Sequence, residues 1–157
     1  MKNFFTYIFQ TTDSFYYLVP RIILGCVIFP HGAQKLLGWY GGFGFTNTIS
    51  YFTTTAGLPW ILAFLVIVAE SLGSLGLIFG FLTRLCSLGI ICVMTGAIVM
   101  VHWPNGFFMN WFGNQAGEGF EFHLLAIGIS IPLLLFGGGK YSLDRLIYKS
   151  TYQDSDN

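Results

Sequence analysis

Charge is what this sequence has least of. Charged side chains make up 9% of the 157 residues, seven cations against seven anions, where soluble domains carry about 25%. So little charge cannot clothe the surface of a soluble domain. The zero balance also removes the electrostatic support that a nucleic-acid partner requires. Cysteine is nearly as scarce. Cys26, Cys86 and Cys92 all fall in apolar stretches and form no C-x-x-C pair. Cys86 and Cys92 lie six residues apart, too far along one helix to bridge. They read as small, polarizable packing residues. No P-loop, dinucleotide fingerprint, nucleophile elbow, haem-attachment motif or iron–sulfur spacing is present. The histidines show neither H-x-x-x-H nor H-E-x-x-H spacing, so no metal site is expected. No small-residue cleavage site follows the short apolar run Phe4 to Phe9, which Gln10, Thr11, Thr12 and Asp13 interrupt. The first span is therefore expected to act as the insertion signal.

Apolar residues fill the space. They are 54% of the chain, with 17 Phe, 8 Tyr and 4 Trp. Four stretches approach the roughly 20 residues that a membrane-crossing helix needs: residues 18–38, 60–80, 84–103 and 120–136. Pro20 and Pro59 stand where helices can begin, Pro104 should stop the third, and Gly137, Gly138 and Gly139 should end the fourth. The expectation is an all-α integral membrane four-helix bundle, one transmembrane domain over residues 1–157. Ala69-x-x-x-Gly73, Gly76-x-x-x-Gly80 and Ala126-x-x-x-Ser130 supply the small faces on which helices meet in lipid. Those faces admit a homo-oligomer as well as a monomer.

Lys2, Arg21, Arg84, Lys140, Arg145 and Lys149 lie on one side of such a bundle, and only Lys35 lies toward the other. The positive-inside rule then puts both termini in the cytoplasm. Arg21 and Arg84 are expected to snorkel to anionic lipid headgroups at that side. On the outer side, residues 39–59 carry aromatics and threonines but no formal charge. A short interfacial helix through Ala56 is expected there, capped by Thr46 or Asn47. Trp39, Trp60, Trp103 and Trp111 suit an interfacial aromatic belt.

Ionisable groups inside the membrane are costly and need partners, so each is a candidate for function. Glu70 lies about 10 residues into the second span, roughly 15 Å deep, on the face shared with Gly73, Ser74 and Leu77. Its carboxyl there is neutral, hydrogen-bonded or paired, with either a structural or a proton-handling role. His31 and Lys35 stack on one helical face with Gln34 beside them; Lys35 alternatively snorkels outward. Pro30 frees the carbonyl of Cys26 just below, and Gly32 opens the helix surface. His102, His123, Glu118 and Glu121 gather in the same leaflet. A hydrogen-bonded funnel toward Glu70 is the expectation there, although Glu121 and His123 point to nearly opposite faces of one helix.

In order along the chain, HGAQKLLGWYGGFG (31–44), GLPW (57–60), ESLGSLGLIFGFLTR (70–84), VHWPNGFF (101–108), FEFHLLAIG (120–128) and GGGKYSLDRL (137–146) resemble the DoxX family. The family pattern is matched at His31, Gly32, Lys35, Glu70, Arg84, His102, Asn105 and Glu121. It departs at Gly138, where members often carry proline, and His123 looks less characteristic. The resemblance implies a four-helix protein of a bacterial inner membrane. Some relatives are membrane subunits tied to thiosulfate:quinone oxidoreductase or terminal quinol oxidation, and others to redox stress or to maturation of partner proteins.

With no redox centre written into the sequence, electrons would have to travel on a quinone or a partner oxidoreductase subunit. The site expected on this basis has Glu70 and His31 as catalytic groups. Lys35, Gln34, His102, Asn105, Glu121 and Arg84 are expected to bind, in a pocket with aromatic loops at its mouth. A non-catalytic scaffold or assembly partner of a redox or stress-response complex is the alternative, and a small transporter or proton conductor ranks behind it because four spans offer little alternating-access machinery.

Overall fold

The computed structural model describes residues 4–153, and they are helical nearly throughout. In chain order the helices are α1 (Phe4–Phe9), α2 (Leu18–Leu37), α3 (Gly44–Ser50), α4 (Trp60–Phe79), α5 (Thr83–Ala97), α6 (Glu121–Phe136) and α7 (Leu143–Tyr148). Three stretches are long and apolar enough to cross a membrane: Phe15–Leu37, Trp60–Phe79 and Thr83–Asn105, the last being α5 with wide and tight turns continuing it. The third span thus runs past Pro104, which sits in the closing 3-10 turn where its missing amide breaks no α-helical bond. Helix α6 is a shorter apolar helix of 16 residues, about 24 Å long. The four pack as a ring: α2 mainly on α4, α4 on α5, α5 mainly on α6, and α6 more thinly back on α2. Leu24, Ile28, Leu77, Ile90, Met94, Ala126 and Leu133 form the core between them.

Glycine sets the closest contact. A methyl group added at Gly32 would lie 2.3 Å from the backbone oxygen of Glu70, and one at Gly25 would lie 2.8 Å from that of Ser74. These two glycines are seven residues apart, two helical turns on one stripe, so α2 lies on α4 backbone to backbone. The expected α4 faces play secondary parts. Gly76 receives the Cys86 sulfur, Ala69 faces Gly89, and Gly73 meets no other helix closely. Of the other cysteines, Cys26 and Cys92 are exposed, and all three are free.

Two sequence expectations need correction. Helix α3 begins at Gly44 after Phe43, not at a Thr46 or Asn47 cap. Asn47 uses its amide nitrogen to donate to the Phe43 carbonyl (3.1 Å), so its side chain bonds back into the helix start instead of accepting from a later amide. The arginines do not reach for headgroups either. Arg21 is 1% exposed and donates to the carbonyls of Leu77 (3.0 Å), Ile78 (3.2 Å) and Tyr141 (2.8 Å). Arg84, also buried, donates to Gln10 (3.0 Å) and Leu134 (2.8 Å) and lies 4.5 Å from the Tyr7 ring centre. The last carbonyls of a helix lack intrahelical donors and carry its negative pole. A guanidinium fits them with several N–H groups at once, so each arginine closes the end of a neighbouring helix.

Asp144 completes this terminal end. It is 1% exposed and accepts from the backbone amides of Leu82 (2.7 Å) and Thr83 (2.9 Å), capping α5 from α7. Leu82 is held in the left-handed region at φ 49°. The Asp144 amide in turn donates to Gly80 (2.9 Å). Burial pushes the Asp144 carboxyl above the usual carboxylate range, against the pull of those donors and of the Arg21 charge.

Gly32→Leu should abolish the α2–α4 crossing and cost 3 kcal/mol or more on the scale of about 1–3 for ordinary overpacking. Gly96→Ala, where an added methyl meets nothing within 4 Å, should stay within about 0.5 kcal/mol of wild type; thermal unfolding in detergent compares the two. Asp144→Ala orphans two buried amides at about 1–3 kcal/mol each, and Asp144→Asn, keeping one acceptor, should lose less. An Asp144→Ala protein as stable as wild type would remove the long-range cap.

Candidate functional site

The α2–α4 crossing carries the principal polar contact within the bundle. Glu70 is buried on α4 with Gly73, Ser74 and Leu77, as its face predicts. Lys35 leaves α2 one turn beyond Gly32, and its ammonium lies 2.5 Å from Glu70 Oε2. Side-chain exposure is 24% for Lys35 and 7% for Glu70. Lys35 therefore turns inward to the carboxylate instead of snorkelling away, because the close crossing puts a desolvated anion within its reach. Its Nζ also lies 3.5 Å from the His31 carbonyl, at the limit of a hydrogen bond.

His31 shares that helical turn but its ring is exposed, 6.2 Å from the Phe122 ring on α6. It stands on the side of α2 facing the thin α2–α6 seam. Gln34 reaches the Tyr40 carbonyl at 3.4 Å and steadies the turn after α2, where Gly42 packs on the Gln34 backbone. Lys35, Glu70 and His31 thus form one group, with Gln34 at its rim.

The remaining predicted residues lie elsewhere. His102 Nδ1 is 2.8 Å from the Glu118 carbonyl. A carbonyl only accepts, so that nitrogen carries the hydrogen. Asn105 donates to the same oxygen (3.1 Å). Glu121 accepts from the Met109 amide (2.9 Å) and the Trp111 indole (3.1 Å), and Glu118 accepts from the Asn110 amide (2.7 Å). These groups stitch the 106–120 loop instead of lining a path to Glu70. Arg84 belongs to the terminal end, across the bundle.

His123, which the sequence motifs left aside, is buried at 7% exposure. Its ring centre is 4.1 Å from that of His102. The helical offset from Glu121 signals this placement: one faces the loop, so the other faces in. Among the described residues no three His, Cys, Asp or Glu side chains converge as a metal site. An open groove of about 340 Å³ lies along α3 and its extension, lined by Phe43, Asn47, Ser50, Tyr51, Thr54 and Thr55. None of the predicted site residues lines it.

The Lys35–Glu70 pair is testable as a unit. Lys35→Met or Glu70→Leu alone strands one buried charge, and each should cost toward the lower end of about 3–5 kcal/mol, since Lys35 is partly exposed. The double variant should recover most of that loss in thermal unfolding, and additive losses would show that the two side chains do not interact.

Comparison with known proteins matches this sequence to one family. The DoxX family model matches residues 16–103, which take in α2, α4, α5 and the whole Lys35–Glu70 crossing. The chain is also 31% identical to the putative oxidoreductase CatD of Bacillus subtilis (strain 168) over 132 residues, 84% of this chain and 87% of the relative. No solved structure matches it significantly. A matched region covering more than half the chain, with a relative aligned over most of its length, establishes that this membrane protein belongs to the DoxX family.

Proposed function

We propose that this chain is the membrane component of a quinone-linked oxidoreductase system in a bacterial inner membrane, with both termini cytoplasmic. In this reading the quinone headgroup docks from the lipid side against Lys35 and His31. The observation that carries it is the unequal use of donors at the crossing. Lys35 commits one N–H to Glu70 while its side chain stays about a quarter exposed, so a further donor is open to an acceptor arriving along α2. His31 holds an exposed imidazole one turn away, with the Phe122 ring beside it.

A flat ring bearing carbonyl oxygens suits that edge: a cationic donor and an imidazole for the oxygens, an aromatic neighbour for the face. When bound, a quinone supplies two-electron, two-proton redox chemistry. The protein's own residues have simpler tasks. Glu70 holds and aims Lys35. Lys35 binds and polarises the oxygen. His31, an imidazole able to donate or accept a proton, gives a proton to that oxygen or takes one from it. Electrons then come from or go to a partner oxidoreductase, and membrane lipids surround the bundle. CatD's description as a putative oxidoreductase supports the same class of chemistry.

Protein purified in native lipid should retain quinone in extracts, and His31→Ala with Lys35→Ala should reduce it about tenfold or more, a loss of roughly 1.4 kcal/mol of binding. Retention equal to wild type in that folded double variant would refute the docking edge.

A further inference from the structure

His102 and His123 come together from different elements, the extension of α5 and the first turn of α6. Their ring centres are 4.1 Å apart with the planes inclined by 42°. The Glu118 carbonyl holds the hydrogen of His102 on Nδ1, which makes Nε2 its basic nitrogen. His123 is 93% buried by its exposure, and its Nδ1 is buried with no protein hydrogen-bond partner. An imidazole nitrogen is an expensive group to leave unused in such a place.

The surrounding charges do not neutralise a doubly protonated pair. The Glu121 carboxylate is turned to Met109 and Trp111, and that of Glu118 to Asn110. Across the seam stands His31, which flanks the same Phe122 ring as His123, with ring centres 6.2 Å and 5.5 Å from it. Behind His31, Lys35 and Glu70 satisfy each other. The Phe122 ring stands nearly at right angles to that of His123. Two imidazolium rings at this separation repel strongly, and only one proton can be held comfortably.

We propose that His102 and His123 form a one-proton imidazole pair at the loop end of the α2–α6 seam, exchanging that proton with His31. The exchange with His31 rests on the docking reading above; the pair itself does not. In the step, a ring nitrogen of His31 loses its proton and the pair gains it. No electrons move, and the total charge of the three rings is unchanged. The partly exposed His102 then returns the proton to water beside the 106–120 loop. Burial of His123 keeps the pair's inner member from exchanging directly with solvent.

The chain has three histidines in all, so ¹⁵N-histidine labelling in lipid nanodiscs without added quinone resolves the question directly. The pair should titrate in two steps separated by about one pH unit or more, both steps visible on both rings. His102→Gln should leave His123 with a single step, and His123→Gln should do the same for His102, so one folded variant suffices. Independent single-site curves for His102 and His123, unchanged by either substitution, would overturn the proposal. This titration contains no quinone, so it succeeds or fails separately from quinone retention. Proton exchange between His31 and the pair predicts that His31→Ala slows ¹⁵N-detected proton exchange at His123 severalfold. An unchanged rate would sever that link.

Discussion

Where α2 crosses α4, two backbones touch with no side chain between them, and this contact governs most of what the bundle can do. In lipid the helices gain little from burying apolar surface against one another, so they must associate through close packing and polar contacts. Gly32 permits an approach that any Cβ would block. That approach also buries Glu70, and a buried carboxylate demands a cation. Lys35, three residues beyond Gly32, meets the demand at 2.5 Å. The steric and electrostatic requirements therefore hold each other in place.

The two ends of the bundle use charge differently. At the terminal end, Arg21 and Arg84 direct guanidinium N–H groups to helix-end carbonyls, the buried Arg21 Nε staying without a partner among the described residues, and Asp144 spends its oxygens on the first amides of α5. This end is a lock on the α4–α5 turn and on the close of α6. At the loop end, Lys35 is only partly committed, His31 is exposed, and His123 keeps a nitrogen without a protein partner. Lys35 and His31 are the groups at this crossing that an arriving ligand can reach, so the proposed chemistry falls there. DoxX membership groups this chain with its relatives; the chemistry has to come from these particular side chains, because folds host many functions.

Much of the fold was legible in the sequence because hydropathy and punctuation are local. Gly38 and Gly80 close their helices in the left-handed conformation at φ 73° and 68°, and Gly137 ends α6 at φ 78° with an extended ψ, a region open to glycine because it has no Cβ. The inward face of Glu70 follows from helical periodicity alone. The candidate site was only partly legible. Proximity in one leaflet grouped Asn105, His102 and Glu121 with Glu70, yet their partners are chosen by the path of the 106–120 loop. Loop paths are set by hydrogen bonds between residues brought together in three dimensions, and periodicity is silent about them.

The sequence by itself determined an all-helical membrane protein, its helix limits to within a few residues, and the need of Glu70 for a partner. Those properties depend on residues close together in the chain and on the cost of polar groups in lipid. Only the tertiary structure decided that the partner is Lys35, that Arg21, Arg84 and Asp144 cap distant helices, and that His123 meets His102. Each of those contacts joins residues from different elements at distances of a few ångströms. Their selection comes from how closely glycine lets helices approach and from which orphaned backbone groups are then within reach.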